Sequence, residues 1–330
     1  MLRDILLTAP NFLMFFTVLF LIKEYPMCLT TANIRDLMLY AWDHKSAIPG
    51  FNIPYLPMME PVVRALRDTR CFGLIMVARL EWVKFESGGP VSIFEEYQRV
   101  KDERYTRLHM DHVPIIDEDE LKVDYEAILS EAITLGYHSV MVDGSRLSLE
   151  DNIAATKRIV EMAHAKGVVV EAELGAVLGH ESGPMPPYDE LFESGKGFTD
   201  PEEARRFAEE TGTDWLSVAI GSVHGAISAS QRKEKKVEAR LSIDRLIELK
   251  EATNIPLVLH GGTGIQKKYI QDAIMNGISK INVATAIRQP YEAIIEQDLD
   301  KAVQAVYEAT VAVIRDELNL EDSIDKLQAG

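Results

Sequence analysis

The stretch HSVMVDGSRLSLEDNIAATKRIVEMAHAKGVVVEAEL, residues 138–174, reads as strand, helix, strand. Residues 138–143 and 168–174 are short apolar runs that end in polar side chains. Between them, residues 149–166 place apolar side chains at helical spacing. A helix between two such runs argues for a parallel βαβ unit. Further runs follow the same pattern at 47–52, 72–78, 106–110, 215–220, 257–260 and 280–283. Amphipathic segments at 125–135, 201–211, 243–252 and 267–275 separate them, and residues 291–318 read as one or two closing helices. Start signals agree: Asp200 or Thr199 can cap a helix with Pro201 at its first position and Glu202 and Glu203 in its first turn. Eight strands alternating with helices predict a TIM (β/α)8 barrel, a fold of about 250 residues. No solenoid repeat or long linker marks a second domain.

Composition limits what such a barrel can do. The 330 residues are 47% hydrophobic and 26% charged, which is globular, and the net charge of −17 disfavours nucleic-acid binding. The basic cluster from Arg232 to Lys236 reads as a solvated loop. Cys28 and Cys71 are the only cysteines, so there is no disulfide framework, and a reducing cytoplasm is the expected location. Residues 11–22 are strongly apolar. A spanning helix needs roughly 20 such residues, and extending the run backwards reaches that length only through Pro10 and Asn11. Residues 1–26 therefore read as an extension on a core of residues 27–330, with membrane or partner docking as the alternative.

Catalytic groups of a TIM barrel lie at the carboxyl ends of its strands. Here those ends carry Asp111 and His112, Asp143, Glu171 and Glu173, His224, His260, and Asn282 to Thr285. One histidine in such a place is ordinarily structural. His112, His224 and His260 at three equivalent strand ends would converge on one mouth, and three imidazoles leave a divalent ion an open position. Strand alternation puts His109 on the side of Asp111, as a hydrogen-bond partner or a core histidine. Glu173 and Asp143 fit the same orienting role. The turn His260-Gly261-Gly262-Thr263-Gly264 leads into a helix and, with the neighbouring Asn282, Val283, Ala284 and Thr285, offers backbone amides to an anion.

Residues from about Met27 to the C-terminus resemble the class II, zinc-dependent fructose-bisphosphate and tagatose-bisphosphate aldolases. The motifs stand in order: Gly50-Phe-Asn52, His109-Met-Asp-His112, Met141-Val-Asp-Gly-Ser145, Glu171-Ala-Glu-Leu-Gly175, Val218 to Gly225, Leu257 to Gly264 and Asn282-Val-Ala-Thr285. The resemblance implies one zinc ion on His112, His224 and His260, with room for a monovalent cation. It makes Asp111 the acid/base at the C4 hydroxyl and Glu181 the acid/base on a mobile loop. Asn52, Gly225, Gly261, Gly262, Thr263, Asn282, Val283, Ala284 and Thr285 would hold dihydroxyacetone phosphate. The implied reaction is reversible cleavage of a ketose phosphate or bisphosphate through a zinc-stabilised enediolate, in a homo-oligomer, dimer or tetramer.

Two rivals remain at this stage. A metal-dependent hydrolase could use the same histidines to activate water, and a non-catalytic partner subunit of an aldolase would share the fold. The segment Val77 to Ser87, after the second strand, replaces the small Ser/Gly turn of related aldolases. This suggests an altered aldehyde partner, with Arg79 a candidate contact to an anionic group.

Overall fold

The computed structural model describes residues 28–117, 119–175, 188–222, 239–262 and 264–328. Eight parallel strands close into a barrel in sequence order: β1 (Ile48–Asn52), β2 (Gly73–Ala78), β3 (Thr106–Pro114), β4 (Ser139–Asp143), β5 (Val169–Leu174), β6 (Trp215–Val218), β7 (Leu257–Leu259) and β8 (Ile278–Val283). Because β1 pairs with both β2 and β8, the sheet has no open edge. This is the TIM barrel that the alternating pattern predicts.

Helices cover the outside: α1 (Ile34–Asp43), α2 (Met59–Asp68), α3 (Arg79–Val83), α4 (Gly89–Val100), α5 (Tyr125–Leu135), α6 (Leu149–His164), α7 (Tyr188–Ser194), α8 (Pro201–Thr211), α9 (Ile243–Thr253), α10 (Lys267–Met275), α11 (Thr285–Ile294), α12 (Leu299–Ala312) and α13 (Ser323–Gln328). With helices outside and packed side chains inside, β2 (GLIMVA) is buried along its whole length. In α1 the buried residues are Ile34, Leu37, Met38 and Ala41, an i, i+3, i+4, i+7 stripe. Full burial of each large member stabilises by about 1.5–3 kcal/mol before entropy is counted. A charge at Leu37 would break that face.

Start signals act where the sequence places them. The carboxylate of Asp200 accepts from the amides of Glu202 and Glu203, a cap of about 1 kcal/mol. Thr199, the other candidate, instead ties β5 to the chain after β6: its hydroxyl donates to the Leu174 carbonyl at 2.6 Å and accepts from the Ala219 amide at 2.8 Å.

Several boundaries differ from the sequence reading. β3 runs on to Pro114 rather than ending at Met110, because Asp111 and His112 form a bulge within it. The closing helices begin at Thr285, since Pro290 lies inside α11 and masks its first turns from a periodicity argument. A π-helical turn, Val313–Leu318, follows α12. Leu29, near the start of the described chain, is buried, and its carbonyl accepts from Arg107 Nη2 at 2.5 Å. Among the described residues no helix is long and apolar enough to cross a membrane. The apolar segment 11–22 lies outside those residues.

Candidate active site

Three strands each turn two polar residues into the barrel at a spacing of two: His109 and Asp111 on β3, Glu171 and Glu173 on β5, Lys280 and Asn282 on β8. They stack as two tiers. In the deeper tier, Glu171 Oε2 meets Lys280 Nζ at 2.8 Å and Trp215 Nε1 at 2.7 Å, while its Oε1 meets His260 Nε2 at 3.0 Å. His109 Nδ1 pairs with Ser139 Oγ at 2.8 Å, and its Nε2 lies 3.5 Å from Glu171 and 3.7 Å from Asp111. Buried charges persist only when paired. Burial opposes ionisation of Glu171, but the Lys280 ammonium, the His260 hydrogen bond and the nearby His109 together outweigh it and bring the pKa to about 2. His109 shows the reverse: burial, aided by Lys280, lowers its pKa.

In the upper tier, Asp111 accepts from Asn52 Nδ2 at 2.9 Å and from Asn282 Nδ2 at 3.0 Å, one amide on each carboxylate oxygen. Burial resists its charge, yet His112 and Lys280 together hold its pKa well below the ordinary value. It is therefore an ionised carboxylate in a fixed orientation.

His112 is adjacent to Asp111 and would point to the other face of a regular strand. It does not, because two residues of β3, Asp111 and His112, oppose one of β4 between the Met110–Val140 and Val113–Val142 pairs. His112 also takes a positive φ of 26°, a strained conformation for a non-glycine residue. Its ring meets that of His260 edge-on, with centroids 4.5 Å apart. Nδ1 of His112 lies 3.0 Å from Asp143 Oδ2, and Asp143 is itself fixed by the Ser145 amide and hydroxyl. Since a carboxylate only accepts, His112 donates through Nδ1 and His260 through Nε2. Burial works against charging His112, but Asp111, Asp143 and Glu173 raise its pKa to about 10.

This arrangement fits a divalent ion. Asp111, His112 and His260 offer ligand atoms within 4.8 Å of one another. Glu173 Oε2 is buried with no hydrogen-bond donor among the described residues, 3.3 Å from His260 Nδ1 and 3.7 Å from His112 Nδ1. A buried carboxylate oxygen beside two imidazoles suits a cation. The third expected ligand, His224, lies outside the described residues, as do Glu181, Gly225 and Thr263.

At the β7–β8 side, Gly261 adopts φ 70°, and a Cβ on Gly262 would come within 2.8 Å of the Ile281 side chain. Glycine is thus needed for the turn to reach β8. The next helix, α10, starts only at Lys267, so a short turn intervenes after Gly264. α11 starts at Thr285, and its N-cap residue, Ala284, makes no side-chain hydrogen bond to the first-turn amides. Val283 is buried and can contribute only its backbone. Asn282 Oδ1 is buried without a donor among the described residues.

Sequence reasoning passed over Lys280 and gave Glu171 no role. The clue was present: each stands two residues before a residue at the mouth, on the same face. It also missed Glu81, at the third position of α3. Glu81 Oε2 accepts from the Ala78 amide at 2.6 Å and lies 3.5 Å from Asn52 Nδ2. Arg79, expected to contact an anionic group, is paired with Asp117.

A closed eight-stranded barrel with imidazoles, carboxylates and amides gathered at its carboxyl-end mouth defines a TIM-barrel enzyme with a metal-compatible centre. The sequence pattern of fructose-bisphosphate aldolase class-II matches residues 32–326, and the chain belongs to that family of carbon–carbon lyases. Fructose-bisphosphate aldolase of Staphylococcus aureus is 34% identical over 256 residues, 77% of this chain and 80% of that protein. Its namesake in Staphylococcus epidermidis is 40% identical over the same shares. The crystal structure of the YdjI aldolase from Escherichia coli K12 is similar with a TM-score of 0.69 at 28% identity, covering 88% of this chain and 98% of that one.

Proposed function

We propose that the chain is a zinc-dependent aldolase that reversibly cleaves a ketose phosphate to dihydroxyacetone phosphate and an aldehyde. The observation that carries this reading is Asp111, an ionised carboxylate fixed by two amides beside the His112–His260 pair. His112 and His260, with His224, would hold the ion. When bound, the ion supplies Lewis acidity that draws off the electron pair released as the C3–C4 bond breaks.

The chain's own groups do the rest. Asp111 accepts the C4 hydroxyl proton, and Asn52 and Asn282 keep its oxygens aimed. Glu171 fixes the tautomer of His260, while Lys280 keeps Glu171 charged. Glu181 delivers the proton to C3, and Gly261, Gly262, Thr263, Gly225 and Asn282 to Thr285 receive the phosphate. We place the enzyme in the cytoplasm as a homo-oligomer.

The test is metal removal from purified protein and assay of dihydroxyacetone phosphate release. Activity should disappear on chelation and return with zinc or cobalt. Full cleavage by metal-free protein would refute this reading.

A further inference from the structure

We propose that Glu81 reads a hydroxyl group on the aldehyde half of the substrate, and that this half is a neutral polyhydroxylated aldehyde rather than one ending in phosphate or carboxylate. The inference rests on the aldolase reading above. A substrate anchored by phosphate at the β7–β8 loops, with its C4 hydroxyl at Asp111 on β3, must send C5 and later carbons past Asp111. The segments after β2 and β3 meet them there, and these carry Arg79, Glu81 and Asp117.

Asn52 Nδ2 ties two carboxyl groups together, 2.9 Å from Asp111 Oδ2 and 3.5 Å from Glu81 Oε2. Glu81 therefore borders the group that takes the C4 proton. Its Oε2 is held by the Ala78 amide at 2.6 Å, and its Oε1 has no hydrogen-bond partner among the described residues. A carboxyl oxygen so placed can accept from a hydroxyl, or donate to one when protonated. Burial first, then the charge of Asp111, pushes the Glu81 pKa up to about 8 against the pull of the Ala78 amide. Among the described residues an anionic substrate end finds little welcome here: two carboxyls stand side by side, and Arg79 is paired with Asp117. A role confined to capping α3 would account for the Ala78 bond but not for burial beside a second carboxylate.

The experiment uses the full-length, metal-loaded protein. Steady-state kcat and KM are measured for fructose 1-phosphate, tagatose 1-phosphate and the corresponding 1,6-bisphosphates, on wild type, Glu81→Gln and Glu81→Ala. Exchange of the C3 proton of dihydroxyacetone phosphate with deuterated solvent is followed in parallel, since it needs only the half of the site that lacks Glu81. Wild type should favour the 1-phosphates at least about tenfold in kcat/KM. Glu81→Ala should raise KM for them roughly 10–100-fold, change kcat less, and lower cleavage far more than exchange. Glu81→Gln, which keeps the shape and removes the group that ionises above about pH 8, should improve the bisphosphates relative to the 1-phosphates at alkaline pH; it carries the test if the Ala variant fails to fold. The proposal is overturned if wild type prefers a bisphosphate, or if both variants keep the wild-type ratio between the two substrate sets. Absence of proton exchange in wild type would instead remove the aldolase reading beneath it.

Discussion

Replacing Glu171 by Gln should damage the protein twice, in stability and in metal affinity. Glu171 is fully buried and satisfies three donors: Trp215 Nε1 at 2.7 Å, Lys280 Nζ at 2.8 Å and His260 Nε2 at 3.0 Å. Gln keeps one acceptor oxygen and turns an NH2 group toward donors. Lys280 is then left with Asp111, 3.7 Å away, as its remaining carboxylate. Breaking a buried pair in this way costs about 3–5 kcal/mol, which for a chain of this length corresponds to a fall in Tm on the order of 4–7 °C. Loss of the group that orients His260 should weaken metal binding by about 10–100-fold in chelator competition. The double variant Glu171→Gln, Lys280→Met removes the stranded ammonium and should recover about 1–3 kcal/mol over the single change. If Glu171→Gln melts within about 1 °C of wild type and binds metal equally well, the charged interior described here is wrong.

Asp111→Ala should lower kcat by roughly 10²–10⁴-fold while metal content holds; loss of the metal would show that Asp111 is a ligand rather than a base. Glu81 gives a pH test. Its folded pKa of about 8 stands above the ordinary 4.5, so the stability its proton confers is fully present below about 4.5 and lost as pH rises through about 8. Between pH 5 and 9, metal-free wild type should lose on the order of 1–4 kcal/mol relative to Glu81→Gln in urea titrations; parallel profiles would mean Glu81 is ionised throughout. A chain starting at Met27 should fold and bind metal, because the barrel closes among residues that follow it; failure to assemble, seen by gel filtration, would make residues 1–26 an interface.

The barrel was legible because each strand–helix unit carries its own signals: apolar runs, helical periodicity and caps such as Asp200. The mouth was legible at His112, His260, Asp111 and Asn282, where polar residues end apolar strands. Lys280 escaped because a lysine inside an apolar strand reads as solvent-facing until its partner Glu171, on a distant strand, is placed opposite. Glu81 escaped for a different reason. It lies on a short helix, where no period tells a buried position from an exposed one. Pairing of Arg79 with Asp117 joins the first residue of α3 to the segment after β3 and has no local signature at all.

The bulge in β3 has a consequence for anyone wishing to transplant this chemistry. In a regular strand, adjacent residues are segregated, one to the lumen and one to the surrounding helices. The single supernumerary residue of β3, with the contorted backbone at His112, is what lets a buried carboxylate and an imidazole sit next to each other in the chain and still share a chamber. Copying Asp111 and His112 alone onto another barrel would bury one of them in the wall. The portable unit is the whole irregular segment from Met110 to Val113, and deleting one residue within it should abolish the site more completely than any substitution.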